Sequence, residues 1–197
     1  QALKNDGRVA FLRAGVWKPR TRPGQFEGVG EKALRWLAKA KEQVGLPVCI
    51  EVARREHVEL AHQYGIRSFW IGARTTSDPF AVQEIAETLE KGDGPVFVKN
   101  PISPDLELWV GAMERIAAHL QNEVIAVLRG CYPTRKITYR NAPEWELALR
   151  LRSRFGNALR ILCDPSHIAG RQQYVAEVAQ QALDYNLDGL MVEVHPT

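Results

Sequence analysis

Six basic side chains stand at or just after the ends of short apolar runs, where their charges could bind an anionic ligand. They are Arg13, Lys18, Arg20, Arg74, Lys99 and Arg129. The planar guanidinium group of arginine makes paired hydrogen bonds to carboxylate and phosphate, and lysine adds a mobile point charge. Two like charges in close contact cost about 4 kcal/mol at a typical effective dielectric. If the six side chains converge, we therefore expect a site for more than one anionic group.

A second group of polar residues follows the last two apolar runs. Asp164 and His167 lie in the stretch DPSH, and Glu193 and His195 lie in the stretch VEVH. A histidine and a carboxylate on neighbouring strands are suitable ligands for a divalent metal. Asp164 is placed to orient His167 or a bound water. His195 would point the same way as Glu193 along a strand, and it is predicted either to reach the site or to lie on its rim.

Strands must bring these residues together, and the sequence contains seven apolar runs. They are Val9–Arg13, Pro47–Val52, Ser68–Gly72, Pro95–Lys99, Val124–Arg129, Arg160–Asp164 and Gly189–Val194. Continuous apolar runs of this length are typical of parallel strands that are buried on both faces. Helical periodicity in the intervening segments predicts helices over Lys32–Gln43, Phe80–Leu89 and Arg171–Tyr185, and helices that open at Ser103-Pro104 and Ala142-Pro143.

The alternation of strands and helices predicts an α/β fold. A doubly wound sheet would usually offer a glycine-rich turn after its first strand, and the sequence has none. The polar residues instead follow the carboxyl ends of nearly all the strands, which is where a barrel builds its active site. We therefore predict a (β/α)8 TIM barrel, with residues 1–197 as a single barrel domain.

Composition limits the class of protein. The 197 residues are 45% hydrophobic and 25% charged, as in an ordinary globular protein. A net charge of +3 does not by itself indicate a nucleic-acid partner, and no apolar run reaches the roughly 20 residues of a membrane span. Cys49 and Cys163 fall inside apolar runs and Cys131 just after one, which favours a reduced, cytoplasmic protein without a cysteine metal site.

The motifs at the strand ends form an ordered set. They are Arg13–Thr21 (RAGVWKPRT), Ile71–Arg74 (IGAR), Lys99–Asn100 (KN), Leu128–Gly130 (LRG), Asp164–His167 (DPSH) and Val192–Pro196 (VEVHP). In order and spacing the set resembles the type I 3-deoxy-D-arabino-heptulosonate 7-phosphate (DAHP) synthase family. The stretch KPRT favours this family over the related octulosonate 8-phosphate synthases, which resemble KANR there. Residues 73–86 and 99–111 are most similar to the bacterial subgroup that is fused to a chorismate mutase domain.

The resemblance implies an enzyme that condenses phosphoenolpyruvate with erythrose 4-phosphate. It implies that His167 and Glu193 bind a divalent metal such as Mn²⁺, Fe²⁺, Zn²⁺ or Co²⁺. Lys18 and His167 are the predicted catalytic residues, because Lys18 or a metal-bound water near His167 could transfer protons. Arg20 and Thr21 would hold the phosphate of erythrose 4-phosphate. The residues implied for phosphoenolpyruvate are Arg13, Lys18, Arg74, Lys99 and Arg129. The expected partners are these two substrates, a second copy of the chain and a chorismate mutase domain.

The resemblance also implies an incomplete barrel. The family carries the motif of Val9–Arg13 on its second strand, so we expect strand one to precede Gln1 and the C-terminal helix to follow Thr197. The family's further metal ligands, a cysteine after strand one and an aspartate beyond the last motif, are outside the sequence. We therefore expect an open barrel in which the first and last predicted strands flank a gap, with His167 and Glu193 facing inward beside it.

Two other functions fit the same residues. Lys99 at a strand end could be the nucleophile of a Schiff-base aldolase, although that lysine would need a mostly apolar pocket rather than neighbouring cations. A regulatory barrel that binds phosphorylated metabolites without catalysis would keep the cations but would not need His167 and Glu193.

Overall fold

Over the residues that the structure describes, the protein forms an open parallel sheet of seven strands. The computed structural model describes residues 7–20 and 22–195. The strands run in sequence order, and each pairs in parallel with the next. They are β1 (Leu12–Ala14), β2 (Val48–Val52), β3 (Ser68–Ile71), β4 (Val96–Lys99), β5 (Val124–Leu128), β6 (Ile161–Cys163) and β7 (Gly189–Leu190). The predicted count of seven strands and the α/β class are confirmed.

Helices follow the strands and cover one face of the sheet. They are α1 (Glu31–Val44), α2 (Arg55–Gln63), α3 (Ala73–Thr76), α4 (Pro79–Thr88), α5 (Leu106–Ala117), α6 (Trp145–Phe155), α7 (Pro165–Ala169) and α8 (Val175–Asp184). Asp78 caps α4 by accepting hydrogen bonds from two backbone amides of its first turn. In the part of the chain that is described, no helix has the length and apolar character needed to cross a membrane.

The sheet is curled rather than flat. In a flat sheet β1 and β6 would lie five strand spacings apart, about 24 Å. Arg13 of β1 nevertheless reaches Asp164, which follows β6, at 3.2 Å. Phe11 and Phe97 likewise pack edge to face at 5.5 Å between their ring centroids. This curl gives the incomplete barrel that the sequence predicted, with β1 and β7 at its two edges.

Side chains alternate along each strand between two cores. The outer core lies between sheet and helices and contains fully buried residues such as Ile50, Phe69 and Val98. The inner core lies inside the curl and contains Cys49, Trp70, Phe97, Ile125, Val127 and Met191. Because side chains repeat with a period of two, polar residues two positions after an inner-core residue also face the inside of the barrel. Most strands therefore carry an apolar side chain low in the barrel and a polar one near its mouth, and on β3 the position near the mouth is Gly72.

Several predicted boundaries were wrong by a few residues. The first strand begins at Leu12 rather than Val9, and the last ends at Leu190 rather than Val194. Both are edge strands with a neighbour on one side only, so fewer hydrogen bonds hold their ends. The helix predicted to open at Ser103-Pro104 begins at Leu106, because Asp105 caps it with a hydrogen bond from the amide of Leu108.

Candidate active site

One cavity of about 860 Å³ occupies the inside of the curled sheet, and residues from both ends of the strands line it. His167 and Glu193 line this cavity, and so do all six basic side chains that the sequence predicted to converge. Thr21, the remaining predicted site residue, lies outside the described residues. His195 is exposed and is not among the residues that line the cavity, which leaves it at the rim.

Asp164 is the centre of the charged network in the cavity. Its Oδ2 atom lies 2.7 Å from Lys99 Nζ and 3.2 Å from an Arg13 guanidinium nitrogen, and its carboxylate is fully buried. Burial alone would raise the pKa of Asp164, but Lys99, His167 and Arg13 outweigh it and hold the pKa well below its usual range. Burial lowers the pKa of Lys99, and the charge of Asp164 opposes that effect. A single carboxylate thus lets two cations stay close together.

Trp70 lies beneath these two cations. It is 3% exposed and belongs to the inner core. The Arg13 guanidinium carbon is 5.4 Å and Lys99 Nζ is 6.0 Å from the centre of its ring. The negative face of an indole attracts cations at such distances. Trp70 therefore supports the same two side chains that Asp164 neutralises.

Arg129 is held by its own set of buried contacts. The side-chain oxygen of Asn100 accepts a hydrogen bond from the Arg129 amide at 2.7 Å. One guanidinium nitrogen of Arg129 donates to the Gly130 carbonyl at 3.0 Å and to Asn141 Oδ1 at 3.3 Å. Asn141 in turn donates to the His167 carbonyl at 2.7 Å. Burial lowers the pKa of Arg129, but an arginine remains charged.

Lys18 and Arg20 lie on the segment between β1 and α1, which projects over the cavity. The Lys18 side chain runs past Gly15, where a methyl group would press against Lys18 Cε. Arg20 is exposed and donates from Nε to the Phe26 carbonyl at 3.0 Å. Arg74 is also exposed and donates to the Tyr132 hydroxyl at 3.4 Å, on the other side of the mouth. These three cations are thus more accessible than Lys99 and Arg129.

Glu51 is a site residue that the sequence analysis missed. It lies on β2, lines the cavity, and is two positions after the inner-core residue Cys49. A methyl group on Gly72 would overlap Glu51 Oε1, so the glycine leaves room for this carboxylate. Burial raises the pKa of Glu51, and the cations around it, Lys99 first, oppose that rise. Its signal in the sequence was a single acidic residue at an inward position of a run otherwise taken as apolar.

His167 and Glu193, the two predicted metal ligands, both line the cavity. His167 Nδ1 is buried and lies 2.9 Å from Asp164 Oδ2, but within the described chain it makes no well-directed hydrogen bond. Burial lowers the pKa of His167, which favours the neutral imidazole that binds metals. Glu193 is exposed, and its amide donates to Ser166 Oγ at 2.9 Å, which joins the segment after β7 to α7. Among residues 7–20 and 22–195, no three histidine, cysteine or acidic side chains form a metal-binding group.

The fold and the cavity define a class of protein: α/β barrels whose inner cavity is lined by basic side chains near the carboxyl ends of the strands. The sequence profile of the DAHP synthetase I family matches residues 1–197. The chain therefore belongs to the DAHP synthetase I family.

Relatives with known sequences and structures agree with this assignment. A phospho-2-dehydro-3-deoxyheptonate aldolase from Thermotoga maritima is 32% identical over 188 residues, which cover 95% of this chain and 53% of that protein. A crystal structure of phospho-2-dehydro-3-deoxyheptonate aldolase (DAHP synthase) from Thermotoga maritima matches with a TM-score of 0.84 and 30% sequence identity. The match covers 98% of this chain and 54% of that one. The structure of a truncated form of 3-deoxy-D-arabino-heptulosonate 7-phosphate synthase from Thermotoga maritima matches with a TM-score of 0.80 and 27% sequence identity. The match covers 99% of this chain and 68% of that one. The chain thus spans about half the length of the curated relative.

Proposed function

We propose that the protein is a DAHP synthase, which condenses phosphoenolpyruvate with erythrose 4-phosphate in the first step of the shikimate pathway. The products are DAHP and inorganic phosphate. The observation that carries the proposal is the convergence of six cations on one cavity beside His167 and Glu193, in a chain of this family. A ligand with a carboxylate and a phosphate, next to a second phosphate, matches that charge.

The buried cations would hold phosphoenolpyruvate. Lys99 and Arg129 are 4% and 7% exposed and are fixed by Asp164, Asn100 and Asn141. Arg13, Arg74 and Lys18 line the same cavity and complete the set for the carboxylate and the phosphate. A substrate held by such a preformed set is aligned before it reacts, which lowers the entropic part of the barrier.

The exposed segment after β1 would hold erythrose 4-phosphate. Arg20 reaches the cavity from this segment, and Thr21 follows it in the sequence. The aldehyde would then lie between the two groups of cations, facing the enol carbon of phosphoenolpyruvate. Carbon–carbon bond formation leaves positive character at C2 of phosphoenolpyruvate, water adds there, and phosphate leaves with the C–O bonding electrons.

A divalent metal would be held by His167 and Glu193. When bound, such an ion acts as a Lewis acid that polarises the aldehyde oxygen. Asp164 lies against His167 Nδ1, as a carboxylate does in many histidine metal sites, and would orient the ring. His167, with a lowered pKa, keeps a free electron pair for this role near neutral pH.

Glu51 and Lys18 would move protons. The raised pKa of Glu51 makes its carboxylate a better base than an exposed glutamate, and it would take the proton of the water that adds to C2. Lys18, which follows the neighbouring strand β1, would donate to the developing oxygen or to the leaving phosphate. Glu51→Gln should lower kcat about 100-fold or more with little change in either KM. An unchanged kcat would show that Glu51 does not act as a base in the reaction.

Phosphate release tests the whole proposal. Purified protein with both substrates should release one phosphate per phosphoenolpyruvate consumed, and neither substrate alone should give release. A chelator should stop the reaction and added Mn²⁺ should restore it. Release from phosphoenolpyruvate alone would indicate a phosphatase, and binding of both substrates without release would indicate a regulatory barrel.

One observation favours a Schiff-base aldolase as a second candidate. Lys99 is buried and its pKa is lowered, which a nucleophilic lysine requires. Asp164 at 2.7 Å opposes this role, because it stabilises the charged ammonium that cannot attack a carbonyl. Borohydride added with substrate would trap a covalent adduct on Lys99 in an aldolase and would leave a DAHP synthase unmodified.

We also propose a homo-oligomeric, cytoplasmic enzyme that works with a fused or associated chorismate mutase. Trp36 and Phe80 are 62% and 84% exposed, which supports burial of these side chains against another protein surface. Cys49, Cys131 and Cys163 are buried and reduced, as suits the cytoplasm. Light scattering would measure the oligomer, and a chorismate mutase assay of the same preparation would test the partner.

A further inference from the structure

Residues 15–20 and 22–30, the described part of the segment between β1 and α1, form a small hairpin, here called the mouth hairpin. Its two sides are joined by backbone hydrogen bonds from Lys18 to Glu27 at 2.7 Å and from Gly30 to Val16 at 3.1 Å. Gly28 has a φ of 105°, and a side chain there would overlap the Val16 carbonyl. An isolated two-stranded hairpin is only marginally stable in water. The mouth hairpin therefore needs contacts with the body of the protein to stay in one place.

Two contacts join the mouth hairpin to the body near its base. Val16 is fully buried in the outer core. Trp17, the residue before Lys18, stacks on His57 of α2, with 4.0 Å between ring centroids and 3° between ring planes. His57 Nδ1 accepts a hydrogen bond from the Ala53 amide at 3.2 Å, which fixes the orientation of the ring. Burial lowers the pKa of His57 to about 4, so the ring is neutral near pH 7 and stacks without burying a charge.

We propose that His57 and Trp17 form a positioning pair that holds the mouth hairpin over the cavity and thereby sets the affinity for the aldose phosphate. This inference rests on the proposed function. Arg20 donates to Phe26 within the same hairpin, so its position follows that of the hairpin. Lys99 and Arg129 have buried partners that are not part of the hairpin. Displacing the hairpin should thus weaken the binding of erythrose 4-phosphate more than the binding of phosphoenolpyruvate.

The kinetic test compares two substitutions of His57. Aromatic pairs of this kind change an equilibrium by about two- to tenfold. His57→Ala should raise KM for erythrose 4-phosphate by that factor and KM for phosphoenolpyruvate less than about twofold. His57→Phe keeps a ring against Trp17 and should restore the first KM. His119→Ala, an exposed histidine at the end of α5, is the control and should match the original protein. Equal rises in both KM values, or no recovery in His57→Phe, would overturn the positioning role.

Hydrogen exchange tests the pair without reference to activity. The Lys18 and Gly30 amides should exchange about two- to tenfold faster in His57→Ala than in the original protein, and at the original rate in His57→Phe and His119→Ala. Unchanged exchange in His57→Ala would refute the pair even if the enzyme is a DAHP synthase. Faster exchange in a protein that releases no phosphate would support the pair and refute the proposed function.

Discussion

The two sides of the cavity hold their cations in different ways. On the inner side, Lys99 and Arg13 share the buried carboxylate of Asp164 and lie above Trp70. On the outer side, Lys18 and Arg20 lie on the mouth hairpin. Two backbone hydrogen bonds join the two sides of this hairpin, and the Trp17–His57 stack attaches it to α2. Buried charges need a partner of opposite sign, whereas exposed charges can rely on water. The cations of the inner side are thus held in place by electrostatic interactions. The cations of the outer side are positioned by the local contacts of the mouth hairpin.

This difference suggests a division of labour. A preformed inner side suits the substrate with two anionic groups, because the cost of bringing the cations together is met when the protein folds. An outer side that depends on a few contacts can vary in sequence without disturbing the network around Asp164. The four predictions below test this division.

The largest effect should follow from removing the shared carboxylate. Asp164→Asn leaves Lys99 buried without a counter-charge, and breaking a buried ion pair in this way costs about 3–5 kcal/mol. Urea denaturation should report that loss in the free energy of unfolding. Glu107→Gln removes a surface partner of Arg154 and should cost about 1 kcal/mol or less. If both substitutions cost the same, the inner side is not organised around Asp164.

The next effect separates the role of the proposed metal from that of the cations. His167→Ala should lower kcat at least about 100-fold, since loss of even an outer partner of a metal ligand costs about 10- to 100-fold. Phosphoenolpyruvate binding, measured by calorimetry, should weaken far less, because the cations that hold it keep their partners. Equal losses of turnover and binding would contradict this separation.

A smaller effect should distinguish the two substrates. Arg129→Ala should raise KM for phosphoenolpyruvate and Arg20→Ala should raise KM for erythrose 4-phosphate, each about ten- to 100-fold for one charge-assisted hydrogen bond. Steady-state kinetics with each substrate varied in turn would measure both constants. If Arg20→Ala changed only KM for phosphoenolpyruvate, the mouth hairpin would contribute to the phosphoenolpyruvate site and not to a separate site for erythrose 4-phosphate.

The smallest effect concerns the pH dependence of stability at the mouth hairpin. The pKa of His57 is lowered to about 4 from an ordinary value of 6.5, so the unfolded chain takes up a proton between these values that the folded protein does not. The contribution of His57 is therefore complete above about pH 6.5 and falls as the pH drops towards 4. His57→Phe should remove that part of the slope when melting temperatures are compared between pH 7 and pH 4.5. An identical slope in both proteins would mean that His57 does not titrate in this way.

The sequence predicted the fold well because apolar runs and helical periods are local signals. It also predicted the set of cations, since each lies at or after the end of a strand and the ends of parallel strands meet at one mouth. The short outer strands were overestimated, because pairing at a sheet edge depends on neighbours that are distant in sequence. The predicted start of α5 was wrong because Asp105, and not Ser103, caps the helix.

The network inside the site was harder to predict than its members. Nothing in the sequence near Lys99 indicates that its partner is Asp164, 65 residues away. Glu51 was missed because its run was interpreted as apolar throughout, although its inward position follows from Cys49 by a period of two. The Trp17–His57 stack depends on how α2 packs beside the mouth hairpin, which no local pattern encodes. Long-range contacts of this kind require the assembled sheet.

The position of Trp70 gives the molecule an intrinsic optical probe. The emission of an indole depends on the electric field across its ring, and Trp70 lies within 5.4 and 6.0 Å of the charged groups of Arg13 and Lys99. An anion that draws these cations upward would change that field without touching the ring. Fluorescence of Trp70, isolated by replacing the other tryptophans, would therefore report occupancy of the inner side directly, with no coupled assay and no chemical label.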